Sequence, residues 1–205
     1  MALSTYTDVK AALGDWLHRS DITSQADDFI DLFETDFNAS VRARQMEART
    51  STPSTAGYLL HPTNWLGWKG IRGTNGNDTY YLEPVTDETA IRETGDEGNS
   101  ATPKYYKVEG SKTYLYPPPA TAVTFTAIYW EGVALSSTAN WLLTSYPGAY
   151  LYGGLLQATA YVGDDPRVPL WQSAYSGILD KIKSDSRKSE WSGQALQMKS
   201  DTGTP

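Results

Sequence analysis

"NWLLTSYPGAYLYGGLLQATAYVGDDPRVP", residues 140–169, is the stretch on which the fold turns. Pro147 is acceptable in a first helical turn, and Leu151, Leu155, Ala158 and Val162 then fall on one face at helical spacing. Gly153 and Gly154 stand inside that helix, where a glycine costs about 1 kcal/mol relative to alanine, so close approach by another backbone is expected there. Tyr150 and Tyr152 point roughly 200° apart around the helix, which leaves one of them for a second surface, such as that of a neighbouring subunit. Asp164, Asp165 and Pro166 break the helix, and Trp171, Tyr175, Ile178, Leu179 and Ile182 mark another stripe that ends in Lys181, Lys183, Arg187 and Lys188.

Such helices need partners, because a lone amphipathic helix of this length is marginal in water. The N-terminal part supplies two. Thr5 and Asp8 stand in capping-box spacing ahead of Val9, Ala12, Leu13, Trp16 and Leu17, which predicts a helix over 5–18. Ser24 and Asp27 repeat that spacing ahead of Ile30, Phe33, Phe37 and Val41, which predicts a helix over 23–47 with acids early and arginines late, as the helix dipole favours. Between the helical pairs the texture changes. "KYYKV", "KTYLY" and "AVTFTAIYW" are β-favouring runs, the first two joined by a turn at Glu109, Gly110 and Ser111 and the second closed by Pro117, Pro118 and Pro119. "YLLHPTNWLGWKGIRG" has room for one or two short strands, "DETAIRET" for a helical turn, and "GIRGTNGND" reads as a turn or mobile loop.

The expected fold is therefore α+β: a four-helix bundle interrupted by a small antiparallel β-rich insertion, with a flexible C-terminal tail. The expected divisions are 1–52 for the first half of the bundle, 53–135 for the insertion, 136–188 for the second half and 189–205 for a C-terminal extension.

Composition narrows the function. Among 205 residues, 24 acids against 17 bases leave a net charge of −7, which opposes tight, sequence-reading binding to a phosphate backbone. With 7 Trp and 14 Tyr against 4 Phe, the aromatics are mostly those that suit half-buried surfaces and contacts. Zero cysteines excludes disulfides and thiolate chemistry. The opening "MALSTYTDVK" has neither a basic nor an apolar signal region, and no stretch approaches the ~18 apolar residues of a membrane span, so no membrane is expected.

Candidate chemistry is sparse. His18 and His61 lack metal-ligand spacing, and no nucleophile-elbow, phosphate-loop or dinucleotide motif occurs. The acid pairs Asp27-Asp28 and Asp164-Asp165 stand at predicted helix starts, where capping explains them. Trp65 and Trp68, with Lys69 and Arg72 nearby, have two readings: a stacking platform for a sugar or a base, with Asp78 and Glu83 as accompanying acids in the sugar case, or the core of a small β domain. Neither catalysis nor a cofactor is expected.

"YTDVKAALGDWLHRSDIT", "DDFIDLFETDFNASVRARQME", "KVEGSKTYLYPPP", "FTAIYWEGVALS", "NWLLTSYPGAYLYGGLLQATAYVGDD" and "SGQALQMK", in that order, resemble the head–tail adaptor proteins of tailed bacteriophages. The chain is similar, more distantly, to tail tubular protein A of short-tailed phages. Gly148 occupies the place after the proline where the family commonly carries an acid. The resemblance implies a non-enzymatic virion protein of the neck, assembled in the host cytoplasm. It implies a ring, commonly of twelve copies, that sits beneath the portal protein and carries the tail or a stopper protein. Double-stranded DNA would pass through its channel unread. It further implies portal docking through the C-terminal extension, here Trp191, Leu196 and Met198, and a ring interface at Tyr150, Tyr152, Gly153 and Gly154. A stopper or tail-completion ring is the alternative within that class, and a carbohydrate-binding or glycoside-cleaving protein using Trp65 and Trp68 is the alternative outside it.

Overall fold

The computed structural model describes residues 3–22, 24–54, 57–75, 78–94, 100–135, 139–163 and 165–190. Its contacts divide the chain into two compact units, Met46–Ala134 and the combination of Met1–Gln45 with Leu135–Pro205.

In the discontinuous unit, α1 (Tyr6–Leu17) starts as its capping box requires. The Asp8 N–H donates to Thr5 Oγ1 at 3.1 Å and the Thr5 N–H donates back to Asp8 at 3.0 Å. It closes on His18 in the left-handed region, φ 53°. The second helix, α2 (Ala26–Ser40), buries Phe29, Ile30, Phe33 and Phe37 but stops well short of the expected residue 47. Val41 is already extended, and Arg42 donates to the carbonyls of Asn38 and Val41, satisfying acceptors that a continuing helix would have used. Arg42, one of the late arginines that suit a helix C-terminus, thus ends α2 instead of extending it.

Three helices complete this unit: α4 (Trp141–Ser145), α5 (Pro147–Val162) and α6 (Val168–Glu190). Asn140 caps α4, its side chain accepting from the Leu143 N–H at 2.9 Å. Pro147 then starts α5 anew, since proline has no N–H to give to the preceding turn. The α5 helix is central and packs against α1, α2, α4 and α6.

The second unit holds a seven-stranded sheet: β1 (Glu47–Pro53), β2 (Tyr58–Leu60), β3 (Trp65–Asn75), β4 (Asp78–Pro84), β5 (Tyr105–Glu109), β6 (Lys112–Tyr116) and β7 (Thr124–Glu131). The order is β1-β7-β3-β4-β5-β6-β2. Neighbours are antiparallel except β4 and β5, whose parallel pairing is made possible by the crossover through α3 (Asp87–Thr94). The edge strands β1 and β2 approach each other, so the sheet is barrel-like and nearly closed. Leu59, Ile71, Leu82, Tyr106, Leu115, Phe125 and Ala127 form its core.

The architecture corrects the expected fold. The described residues hold six α-helices and an extensive sheet, not a four-helix bundle with a small insertion. Among the strands, β1 escaped the sequence reading and β3 runs longer than the short strands expected there, both for physical reasons. The β1 run "EARTSTP" lacks the large apolar residues of a strand, yet it pairs with β7 from Glu47 to Pro53. The β3 run contains Gly67, Gly70 and Gly73, which weaken any strand signal. Gly73 is required there: a Cβ would lie 2.4 Å from the Tyr80 ring, the residue it faces across the β3/β4 pair. The "GIRGTNGND" stretch read as loop contributes to both of these strands.

Candidate assembly surface

The α5 helix presents two kinds of residue. Tyr150, Leu151, Gly153, Gly154, Leu155 and Ala158 are buried. The close approach expected at the glycine pair is made by side chains of the same chain: a Cβ on Gly153 would lie 2.2 Å from the Phe33 ring, and one on Gly154 would lie 3.0 Å from the tip of Leu13. The glycines let α2 and α1 seat against α5. Gly148 has a comparable reason, since a Cβ there would meet Ile178 at 2.9 Å.

Tyr150 is fully buried. Its hydroxyl donates to Glu34 Oε1 at 2.7 Å and accepts from Asn140 Nδ2 at 2.6 Å, while the Leu135 N–H also donates to Glu34 Oε1. Burial pushes the phenol well above its ordinary value, so it remains a donor to the carboxylate. Of the paired tyrosines, Tyr152 is the one nearer the outside, half-buried and in edge contact with Trp16, ring centroids 5.7 Å apart.

Trp16 is 40% exposed, although its spacing in α1 groups it with core residues. Tyr161 is 50% exposed, with the Arg19 guanidinium 5.8 Å from its ring centre. Neither was separable by pattern alone; the signal was that α1 and α5 each carry more large apolar residues than one stripe can bury. Beside them lies an open cavity of about 740 Å³ whose walls include Tyr6, Lys10, Gly14, His18 and Arg19. Its polar groups are largely engaged: Lys10 pairs with Asp27 at 2.8 Å, the Tyr6 hydroxyl hydrogen-bonds the same carboxylate, and Arg19 pairs with Asp21 at 2.6 Å. Hydrogen bonds from Lys10 and Tyr6 hold the Asp27 carboxyl below its ordinary range.

In the sheet unit, the tryptophans do not make a free platform. Trp65 is stacked on His61 with centroids 3.8 Å apart, and Trp68 packs against the sheet core with its indole N–H donating to Thr113 Oγ1 at 2.7 Å. Lys69 is turned to Glu47, 2.6 Å away, and lies over Trp130. Trp191, Leu196 and Met198 lie outside the described residues. Among the described residues, no group of three or more His, Asp or Glu side chains could hold a metal ion. None of their helices is long and apolar enough to cross a membrane. The arrangement is suited to contact through shape, aromatic area and charge.

A family model described as SU10 adaptor protein matches residues 4–198. No curated protein matches the chain. The chain therefore belongs to the SU10 adaptor protein family, a family of phage head–tail adaptors, which are structural proteins and not an enzyme class. The match supports the resemblance to phage adaptors and does not extend to tail tubular protein A.

Proposed function

We propose, from that membership, that copies of this chain close into a ring, twelve by analogy with the resemblance, between the portal vertex and the tail. In this role the ring joins the two assemblies in the virion neck and leaves a channel through which double-stranded DNA passes without being read. The single observation that carries the reading is the family match over residues 4–198, nearly the whole chain. A net charge of −7 agrees with unread passage, because an overall excess of acids opposes tight binding to phosphates.

Tyr152, with Trp16 and Tyr161, supplies the exposed aromatic area for contact with the next copy. Tyr150, Gly153 and Gly154 serve that interface from inside, by fixing the packing of α5 against α1 and α2 that presents Tyr152. Trp191, Leu196 and Met198, apolar residues in an otherwise polar extension over 189–205, dock on the portal.

The experiment is to mix the full chain with portal rings from the same phage and measure particle mass and shape by mass photometry and electron microscopy. A ring of added mass beneath the portal is the expected outcome, and failure of the full chain to bind would overturn the adaptor reading. Chains ending at Lys188 should lose portal binding. If they still sediment with the portal, docking lies elsewhere.

A further inference from the structure

The α2 helix turns one face outward with no described residue covering it. Phe29, Ile30, Phe33 and Phe37 are buried, while Asp28, Asp31, Leu32, Thr35, Asp36 and Ala39 are exposed and recur at the spacing of a single stripe. Leu32, near the middle of that stripe, is 53% exposed. The carboxylates of Asp28, Asp31 and Asp36 make no hydrogen bond or ion pair with a described residue.

The same unit carries the opposite sign at the C-terminal half of α6. Lys183, Arg187 and Lys188 are exposed there, and Arg44 is fixed beside them: its N–H donates to Ser186 Oγ at 2.9 Å and its Nε to Ser189 Oγ at 2.7 Å. None of these four cations forms an ion pair with a described carboxylate. Among the described side chains of this half of α6, Asp180 is exposed and Asp185 accepts a hydrogen bond from Tyr146 at 2.8 Å, so the balance of the patch stays positive.

Helix dipoles account for charge only in the first and last turns. They explain Asp28 at the start of α2 and Arg187 at the end of α6. They do not explain Asp36, which lies toward the C-terminal end of α2 where a carboxylate is disfavoured, nor Lys183, nor Leu32 among the acids. Two unpaired patches of opposite sign on one compact unit are complementary to each other only across two copies, one patch for each neighbour, as in a head-to-tail contact.

We propose that the α2 face of one copy docks on the C-terminal half of α6 of the next, Asp28, Asp31 and Asp36 meeting Arg44, Lys183, Arg187 and Lys188 while Leu32 is covered between them. This rests on the ring reading given above. The charges set the register and polarity of the contact, and the aromatic flank around Tyr152 adds area.

The test uses two charge-swapped full chains, one carrying Lys183→Glu, Arg187→Glu and Lys188→Glu, the other Asp28→Lys, Asp31→Lys and Asp36→Lys. All six positions are exposed, and circular dichroism and thermal melting check that each chain folds. Self-association, with and without portal rings, is followed by mass photometry over a salt series. Each variant alone should assemble at least roughly tenfold more weakly than the unaltered chain, and an equimolar mixture of the two should recover assembly, because their swapped faces match. Assembly of the unaltered chain should weaken as salt rises. Unchanged assembly of both variants would overturn the proposed contact while leaving the ring standing. Loss without recovery in the mixture also overturns it, and a shift of duplex DNA that only the α6 variant abolishes would assign the cations to phosphate instead. If the unaltered chain never assembles, even on the portal, the ring reading itself fails.

Discussion

Tyr150 of α5 donates its phenolic hydrogen to Glu34 of α2 across 2.7 Å, and both residues are buried. The hydroxyl also accepts from Asn140, whose own carbonyl oxygen caps α4, and the Leu135 N–H shares the Glu34 oxygen. One carboxylate therefore ties α2, α4, α5 and the chain at Leu135 together. An acid in such a place is costly unless it is hydrogen-bonded, and here two donors converge on its Oε1.

Glu34 should leave a signature in the pH dependence of stability. Burial pushes its carboxyl above the ordinary 4.5, outweighing the hydrogen bonds from Tyr150 and Leu135 that pull it down. A carboxyl whose folded value is raised contributes stability that is fully present below the unfolded value and is lost as pH rises through the folded one. Relative to a Glu34→Gln chain, the natural chain should thus gain stability as pH falls from 7 toward 4.5. Thermal melts of both chains across that range check it, and a difference that stays flat would show that Glu34 is not desolvated.

Two tyrosines buried against the same Phe33 should respond oppositely to loss of the hydroxyl. Tyr150→Phe removes one of the two donors to the buried Glu34 oxygen and the acceptor of the part-buried Asn140 amide, which costs about 1–3 kcal/mol. Tyr175 packs edge-on to the same Phe33, but its hydroxyl is buried with no hydrogen-bond partner among the described residues. Burial pushes that phenol up to about 12. Tyr175→Phe should be neutral or stabilising, and denaturant titration of the two variants separates the cases.

Gly153 and Gly154 are adjacent yet should tolerate alanine differently. A methyl at Gly153 would enter the ring of Phe33, which is 1% exposed and hemmed in by Phe37, Tyr150 and Tyr175. Overpacking of this kind costs about 1–3 kcal/mol. At Gly154 the nearest atom is the end of the Leu13 side chain, 3.0 Å away, which can shift, and alanine adds helix propensity of about 1 kcal/mol. Gly153→Ala should lower the melting temperature by several degrees while Gly154→Ala leaves it nearly unchanged or raises it.

These positions show what was legible in the sequence. Periodicity was enough for α1, for the start of α5 and for the α6 stripe, because capping chemistry and apolar spacing are local. The glycine pair signalled close packing, but nothing local could say that Phe33 and Leu13, 120 and 141 positions away in sequence, are the partners. The extent of the sheet was illegible for a related reason. The β1 residues are small and polar and become a strand only through pairing with β7, while Gly73 makes sense only with Tyr80 opposite. Of the candidate surface, the spacing of Tyr150 and Tyr152 indicated that they face different sides, and the burial of Tyr150 on Phe33 and Glu34 shows which is inside, leaving Tyr152 half-buried against Trp16. The outward α2 face lies in the register complementary to its buried stripe, and the helix dipole accounts for its early acids in the sequence, so nothing local marks Leu32 and Asp36 as part of a contact face.

Trp65 and Trp68, three residues apart on β3, should carry unequal weight in the sheet unit. The Trp68 indole N–H donates to Thr113 at 2.7 Å, and Thr113 is fully buried, so Trp68→Phe leaves a hydroxyl with one partner fewer, in addition to lost ring area against the core. That change should cost about 1–3 kcal/mol. The Trp65 N–H is buried without a partner among the described residues, and its ring is held by stacking on His61. Phenylalanine at 65 preserves a ring for that stack while removing an unpaired donor, so Trp65→Phe should be the milder change, within roughly 1 kcal/mol of the natural chain. Chemical denaturation monitored by far-ultraviolet circular dichroism measures both on one scale. Equal losses would mean that ring area, not the bond to Thr113, decides the stability of this part of the sheet.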